Sequence, residues 1–143
     1  MMISTKGRYA LRLMVDLAEH QQENYIPLKE IAQRQELSEK YLESIIKLLV
    51  RDHLLEGVRG KGGGYRLTRP PECYTVGSIL RLTEGSLSPV ACLGQGESEC
   101  PRANECPTLP MWRKLETLLN GFFDGITLAD LMDTDQVGND YVI

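Results

Sequence analysis

The stretch from Leu37 to Tyr65 constrains the fold more than any other part of this 143-residue chain, because it joins an amphipathic segment to a glycine-rich basic tip. Apolar residues recur there at the spacing of one helix face: Leu42, Ile45, Ile46 and Leu49. Ser38 stands where an N-cap would satisfy the first free amides of that helix. The opposite face offers both donors and acceptors, as reading base edges requires: Lys40, Tyr41, Glu43, Ser44 and Lys47. The segment therefore predicts a recognition helix.

Two short apolar runs follow this helix, at 54–55 and 65–67, and they predict a β-hairpin. The turn between them carries Arg59, Lys61 and four glycines, which permit positive φ and a close backbone approach. Arg59 would suit a minor groove, because a narrow groove concentrates negative potential. A phosphate-cradling nucleotide loop is a poor alternative, since no helix beginning Lys-Ser or Lys-Thr follows the glycines.

The residues before this stretch predict two further helices, over 3–20 and from Pro27 onward, which complete a helix–turn–helix. Thr5, Lys6 and Arg8 precede or open the first helix and could touch phosphate; the alternative is that they are merely solvated. The expected fold is mainly α with a small β-wing. It consists of a winged helix–turn–helix DNA-binding domain over residues 1–70, a cysteine-loop and dimerisation region over 71–132, and a mobile tail over 133–143.

Charge is distributed unevenly along the chain. Residues 1–69 hold 12 lysines and arginines against nine acids, whereas residues 70–143 hold four against eleven. A polyanion such as DNA would therefore be met by the N-terminal half. No apolar run approaches the roughly 18 residues of a membrane span, and no signal-like segment opens the chain, so we expect a cytoplasmic protein without a membrane partner.

Three cysteines lie in a loop-like stretch over 85–107, namely Cys92, Cys100 and Cys106. In a cytoplasmic chain they are better explained as ligands of an iron–sulfur cluster or zinc, or as metal-free thiols, than as disulfides. Two-residue spacings typical of zinc knuckles are absent. A fourth ligand would have to come from solvent, a distant or partner residue, or a nearby acid: Glu97, Glu99 or Glu105. The isolated Cys73 predicts a small buried side chain.

A long helix is predicted from Pro110 to about Phe123. Its wide apolar stripe suggests the seam of a homodimer, and the alternative is packing on its own winged helix. The stripe consists of Trp112, Leu115, Leu119 and Phe122, with Leu118 alongside. We expect the dimer, because DNA half-sites are usually read by two-fold dimers.

Several motifs together resemble the Rrf-two family of bacterial transcription regulators, and within it the iron–sulfur cluster regulators. The resemblance covers nearly the whole chain: Ser4 to Ala10, Ser38 to Glu43, Val58 to Tyr65, the cysteine loop, Trp112-Arg113 and Gly125 to Leu128. It implies a homodimer on palindrome-like operators and a 2Fe–2S cluster on the three loop cysteines, sensing cluster supply or redox state. It also implies that Glu43 tunes site choice and that Arg59 enters the minor groove. One departure is Leu109, which cannot ligate metal although family members often have a histidine there.

The tail supports a second hypothesis. Its end is similar to the C-termini of serine acetyltransferases and of cysteine-metabolism repressors in the same family: Tyr141, Val142 and Ile143. The alternative function is therefore a cluster-free repressor of sulfur metabolism controlled by docking of cysteine synthase, and the tail could equally be inert. An enzyme is not expected, because His20 and His53 both lie in or beside the winged helix, away from the cysteine loop.

Overall fold

The computed structural model describes residues 3–20, 24–93 and 100–132. The described residues form six helices and one hairpin: α1 (Thr5–His20), α2 (Leu28–Gln35), α3 (Glu39–Arg51), β1 (Leu55–Val58), β2 (Gly64–Leu67), α4 (Val76–Glu84), α5 (Leu109–Asp124) and α6 (Leu128–Met132). Short 3₁₀ turns occupy Pro71–Cys73 and Ala91–Leu93. The predicted fold, mainly helical with a small β-wing, is confirmed.

The three N-terminal helices enclose the main core. The predicted apolar face of α3 is buried throughout, and Ser38 Oγ accepts a hydrogen bond from the Tyr41 amide at 3.1 Å, as expected of an N-cap. The facing stripe of α1 is fully buried: Ala10, Leu13, Met14 and Leu17. This packing fixes α3 so that its polar face turns outward.

A buried ion pair locks α1 to α2. Asp16 is 1% exposed, and its two carboxylate oxygens accept hydrogen bonds from Arg34 Nε and a terminal guanidinium nitrogen at 3.0 and 2.7 Å. The side-chain amide of Gln35 donates a third bond at 2.8 Å. Since a buried carboxylate is stable only when its lone pairs are occupied, this network specifies how the first two helices cross.

The hairpin carries a third, shorter extended segment along its edge. Strands β1 and β2 pair antiparallel, and the amide and carbonyl of Ile26 exchange hydrogen bonds of 2.9 Å with those of Tyr65. A Cβ at Gly64 would lie 2.2 Å from the Ile26 carbonyl oxygen, and the φ of Gly64 is 152°. Only glycine fits there, so the close crossing that attaches the wing depends on Gly64.

Two of the three remaining helices, α4 and α6, pack against α1, and α5 packs against α4. Helix α4 contacts α1 and α5, and α6 returns to the main core through the fully buried Leu128. The residues around Thr75 and Thr127 form a β-bridge, and Thr127 and Asp130 cap α6 reciprocally. Because Tyr74, Ile79 and Leu128 share the core of the winged helix, the division near residue 70 stays a prediction. No described helix is both long and apolar enough to cross a bilayer.

The prediction that Cys73 is buried was wrong. The cysteine is exposed on the 3₁₀ turn, and the next residue, Tyr74, occupies the interior at 1% exposure. The Tyr74 hydroxyl accepts bonds from the Thr68 and Arg69 amides at 2.9 and 3.1 Å and donates to the Leu54 carbonyl at 2.8 Å. The larger side chain is buried because its hydroxyl ties together both ends of the hairpin, which a thiol is too short to do.

Candidate nucleic-acid interface and cysteine loop

The outward face of α3 presents the side chains that the sequence predicted to read DNA. Lys40, Glu43, Ser44 and Lys47 are all exposed, whereas Tyr41 is half-buried. The Tyr41 ring meets Tyr9 edge to face, with centroids 5.6 Å apart, and Arg12 lies 5.3 Å from the Tyr9 ring centroid. The Ser44 hydroxyl donates to the Tyr41 carbonyl at 2.6 Å. This face therefore combines three exposed charged groups with a tyrosine that packs against α1.

A cleft of about 770 Å³ separates α3 from the wing. Glu43 and Lys47 line its helix side, and Arg59 lines its wing side. Arg51 and Val58, which sequence reasoning missed, also line it, and Val58 is 47% exposed although it is apolar. The outward position of Val58 could have been predicted from strand alternation, because Val58 lies three residues after the buried Leu55 and therefore on the opposite face. The cleft brings the predicted helix and wing residues to one surface.

Two side-chain contacts and a close backbone approach support the wing behind its basic tip. Arg66 on β2 forms a short ion pair with Glu56 on β1, and its guanidinium lies 4.4 Å from the centroid of the Tyr25 ring. A Cβ at Gly63 would meet the Val58 carbonyl oxygen at 2.3 Å, so any residue other than glycine at position 63 would require the backbone of the tip to shift. Arg59 and Lys61 are exposed at this tip, with Gly60 and Gly62 in the positive-φ region on either side of Lys61.

Three predicted phosphate contacts lie at the start of α1. Thr5 is exposed and Lys6 is half-exposed, and the Thr5 hydroxyl oxygen accepts a bond from the Arg8 guanidinium at 3.0 Å. Arg8, which was also expected to reach phosphate, is exposed on the same turn and adds a positive charge there.

The three loop cysteines are accessible but dispersed. Cys92 is half-buried on its 3₁₀ turn, Cys100 is exposed, and Cys106 is half-buried just before α5. Over the described ranges, no three Cys, His, Asp or Glu side chains stand close enough together to hold a metal. Ligation by the three thiols therefore stays a prediction. Of the other positions considered, Glu97 and Glu99 lie outside the described residues, and Leu109 is buried.

Cys106 has the environment of a thiolate. Its sulfur lies 3.3 Å from the Thr108 hydroxyl oxygen. This hydrogen bond, followed by those from the Thr108 and Leu109 amides and by the positive charge of Arg102, lowers the pKa of the Cys106 thiol. Deprotonated sulfur is the form that binds soft metals, so the local electrostatics favour ligation.

Helix α5 has an exposed apolar ridge. Met111, Leu118 and Phe122 are 53%, 70% and 44% exposed, and Leu115 completes a 4-3-4 spacing. The opposite face joins α4, since Arg81 donates to Asp124 at 2.7 and 2.9 Å. Of the predicted stripe, Phe122 and the neighbouring Leu118 are exposed, whereas Trp112, Leu115 and Leu119 are half-buried. Met111, which the prediction did not include, is exposed as well.

With this geometry established, comparison with known proteins identifies the family. The family model Rrf2, described as an iron-dependent transcriptional regulator, matches residues 3–134. The chain belongs to the Rrf2 family. It is 36% identical over 137 residues to the HTH-type transcriptional regulator IscR of Vibrio campbellii, covering 96% of this chain and 80% of that protein.

Solved structures agree with this membership. CymR (YrzC), the global cysteine regulator of B. subtilis, superposes with a TM-score of 0.76 at 39% identity, covering 94% of this chain and 98% of that one. IscR of T. potens gives a TM-score of 0.75 at 35% identity, covering 100% and 94%. The expected family resemblance and winged-helix fold are thus confirmed, and the protein is an Rrf2-family transcription regulator whose relatives are named as transcriptional regulators. The tail residues Tyr141, Val142 and Ile143 lie outside the described residues.

Proposed function

We propose that this Rrf2 regulator binds operator DNA as a homodimer and uses an iron–sulfur cluster on its loop cysteines as a sensor. The observation that carries the proposal is the cleft between α3 and the wing, where Glu43, Lys47 and Arg59 face a common space. In a winged helix this arrangement suits a duplex whose major groove receives α3 and whose minor groove receives the wing.

The side chains divide by their chemistry on such a duplex. Lys40, Glu43, Ser44 and Lys47 can address base edges, since lysine donates to guanine and glutamate accepts from cytosine. Thr5 and Lys6, at the start of α1, would contact phosphate together with Lys61. Ser38 and Tyr41 would act mainly by fixing the N-terminus of α3, because one caps it and the other packs on Tyr9.

The exposed ridge of α5 supports the homodimer. Its apolar side chains repeat with coiled-coil spacing on the face opposite α4, so a second copy of α5 would bury them. Two-fold symmetry would then present two copies of α3 to two half-sites of a palindrome-like operator.

Three cysteine thiolates are suitable ligands for a 2Fe–2S cluster, although the described part of the chain does not bring three potential ligands together. Cys92, Cys100 and Cys106 would hold it, and the lowered pKa of Cys106 favours its thiolate. When bound, such a cluster supplies one-electron redox chemistry and a dependence on iron and sulfide supply. Cys106 lies three residues before the first residue of α5, so ordering of the loop by ligation would bear directly on the dimer helix.

The DNA-binding half of the proposal is tested by selection from a random-sequence duplex library with anaerobically purified protein. We expect enrichment of a palindrome-like sequence. Arg59→Ala should bind that sequence about tenfold or more weakly and with relaxed preference at narrow-groove positions. Lys114→Ala on α5 removes the same charge away from the cleft and is the matched control. Absence of any enriched sequence would contradict the proposal.

The cluster half is tested by iron and sulfide analysis and visible absorption. The wild-type protein should be coloured, Cys100→Ala should lose colour and iron, and Cys73→Ala should keep both. Binding to the selected duplex is then compared with and without the cluster. A colourless wild-type protein that still selects one sequence would instead support the cluster-free regulator of sulfur metabolism.

A further inference from the structure

Glu84, the last residue of α4, reaches across to the start of α1. One of its carboxylate oxygens accepts a hydrogen bond from the Ser4 amide, and the other accepts one from the Ser4 hydroxyl at 2.7 Å. The Ser4 hydroxyl oxygen in turn accepts a bond from the Gly7 amide at 3.0 Å, so it caps the first turn of α1. The first turn of α1 is thus attached to a residue 80 positions away in the sequence.

Gly7 makes this contact possible. It is buried, and a Cβ there would lie 2.8 Å from Glu84 Oε1 and 3.0 Å from Thr83 Oγ1. A larger residue would push the carboxylate away from Ser4. The absence of a side chain at position 7 therefore serves the approach of Glu84 rather than backbone flexibility, because the residue lies in regular helix.

The other end of the connection is fixed as well. One turn before Glu84, Arg81 donates two hydrogen bonds to Asp124 and one of 2.9 Å to Asn120, all on α5. Helix α4 is therefore tied to α5 on one side and to the α1 N-terminus on the other. Glu84 therefore lies at the end of a helix that is bonded to α5, and its own carboxylate is bonded to Ser4.

We infer that Glu84 is a positioning residue for DNA binding: it holds Ser4 to Gly7 so that Thr5 and Lys6 are presented to phosphate. The inference rests on the proposed function, since it requires Thr5 and Lys6 to contact DNA. It adds a residue on α4, outside the winged helix in sequence, to the determinants of affinity.

If Glu84 acted only through its charge, its removal would change the DNA affinity in the opposite direction, so the inference can be tested. Removing a carboxylate near a phosphate-binding turn would strengthen binding if Glu84 acted only by repulsion. If Glu84 positions the turn, Glu84→Ala should weaken binding about threefold to tenfold and reduce the slope of log K against log salt by about 1. Glu84→Gln keeps an oxygen for the Ser4 amide and should bind nearly as the wild type does.

The experiment measures fluorescence anisotropy of a random-sequence 30-base-pair duplex, from about 50 to 300 mM salt, because phosphate contacts do not depend on sequence. Glu72→Ala is the matched control, since Glu72 is an exposed acid on the turn before α4 and its removal changes net charge equally. Circular dichroism and sedimentation establish that each variant keeps the fold and assembly state of the wild type. If Glu84→Ala does not fold, Ser4→Ala carries the test, because it removes the same hydroxyl contact outside the core.

Weaker binding and a lower salt slope for Glu84→Ala or Ser4→Ala, with recovery in Glu84→Gln, would support the inference. Equal or tighter binding by a folded Glu84→Ala variant would overturn it while leaving the proposed function intact. Failure of the wild-type protein to bind any duplex would instead refute the proposed function itself.

Discussion

Replacing Arg34 should destabilise the protein more than replacing Asp16, although the two residues form one ion pair. The asymmetry follows from burial, because the Asp16 side chain is fully buried whereas Arg34 is 31% exposed. Arg34→Met keeps the apolar stem but leaves the Asp16 carboxylate with one side-chain hydrogen bond, from the Gln35 amide, and with the His20 ring nitrogen at 3.8 Å. Asp16→Ala leaves a guanidinium that can turn toward water.

The magnitudes follow from the cost of an unpaired buried charge. Arg34→Met should lower the free energy of unfolding by about 3–5 kcal/mol, the range for removing one partner of a buried pair. Asp16→Ala should lower it by roughly 1–3 kcal/mol, because the donors that lose their acceptor, the Arg34 guanidinium and the Gln35 amide, are not fully buried and can turn toward water. At about 3–5 °C per kcal/mol for a chain of this size, Arg34→Met should melt roughly 9–25 °C below the wild type.

The assay is denaturation followed by circular dichroism at one fixed protein concentration, since an oligomer's apparent stability depends on concentration. Glu30→Ala is the internal control: it removes the second ion pair of Arg34, at 3.6 Å and 57% exposed on the glutamate side, and should cost less than about 1 kcal/mol. If Asp16→Ala were as destabilising as Arg34→Met, or if Arg34→Met cost no more than Glu30→Ala, the reasoning from burial would be refuted.

Three further predictions concern the C-terminal half and the wing base. Leu118→Glu should convert a sedimenting dimer to a monomer while the neighbouring Thr117→Glu does not; a Leu118→Glu dimer of wild-type stability would exclude the α5 ridge as the seam. The hydrogen bonds from Arg81 lower the pKa of Asp124, so this pair stabilises the fold above about pH 4 and stops doing so as pH falls through the lowered value. The difference in denaturant midpoint between wild type and Arg81→Met should therefore shrink between pH 6 and pH 3, and a constant difference would argue against the pair. Tyr74→Phe should cost about 1–3 kcal/mol in the urea midpoint, with faster amide exchange at the wing base, because the hydroxyl satisfies three backbone groups; unchanged exchange there would contradict this role.

The sequence was sufficient where local pattern and tertiary packing agree. The apolar period over 42–49, the Ser38 cap and the glycines of the hairpin each have a local physical reason, and the structure places all of them as expected. The same holds for the last long helix, predicted from Pro110 to about Phe123 and observed over Leu109–Asp124. Family membership agrees with the motifs quoted from the sequence.

Pattern was insufficient where the partner is distant in sequence. The residues next to Asp16 do not indicate that its carboxylate binds Arg34. Likewise, the residues next to Glu84 do not indicate that it binds Ser4, 80 positions earlier. On α5, several apolar residues stand on neighbouring faces, and only the position of α4 decides that Met111 and Leu118 face outward. Cys73 was misplaced for a similar reason, because the interior position beside it is taken by Tyr74.

The crossing of Ile26 over Gly64 limits how this regulator can adjust to its target. An isolated two-stranded hairpin would be marginally stable, but here the edge contact joins it to the very segment that leads into α2. The backbone hydrogen bonds between Ile26 and Tyr65 therefore couple the position of the wing to the segment before α2. If the proposed dimer binds two half-sites, this coupling would make a change in the spacing or tilt between the two protomers the easier route to a different operator.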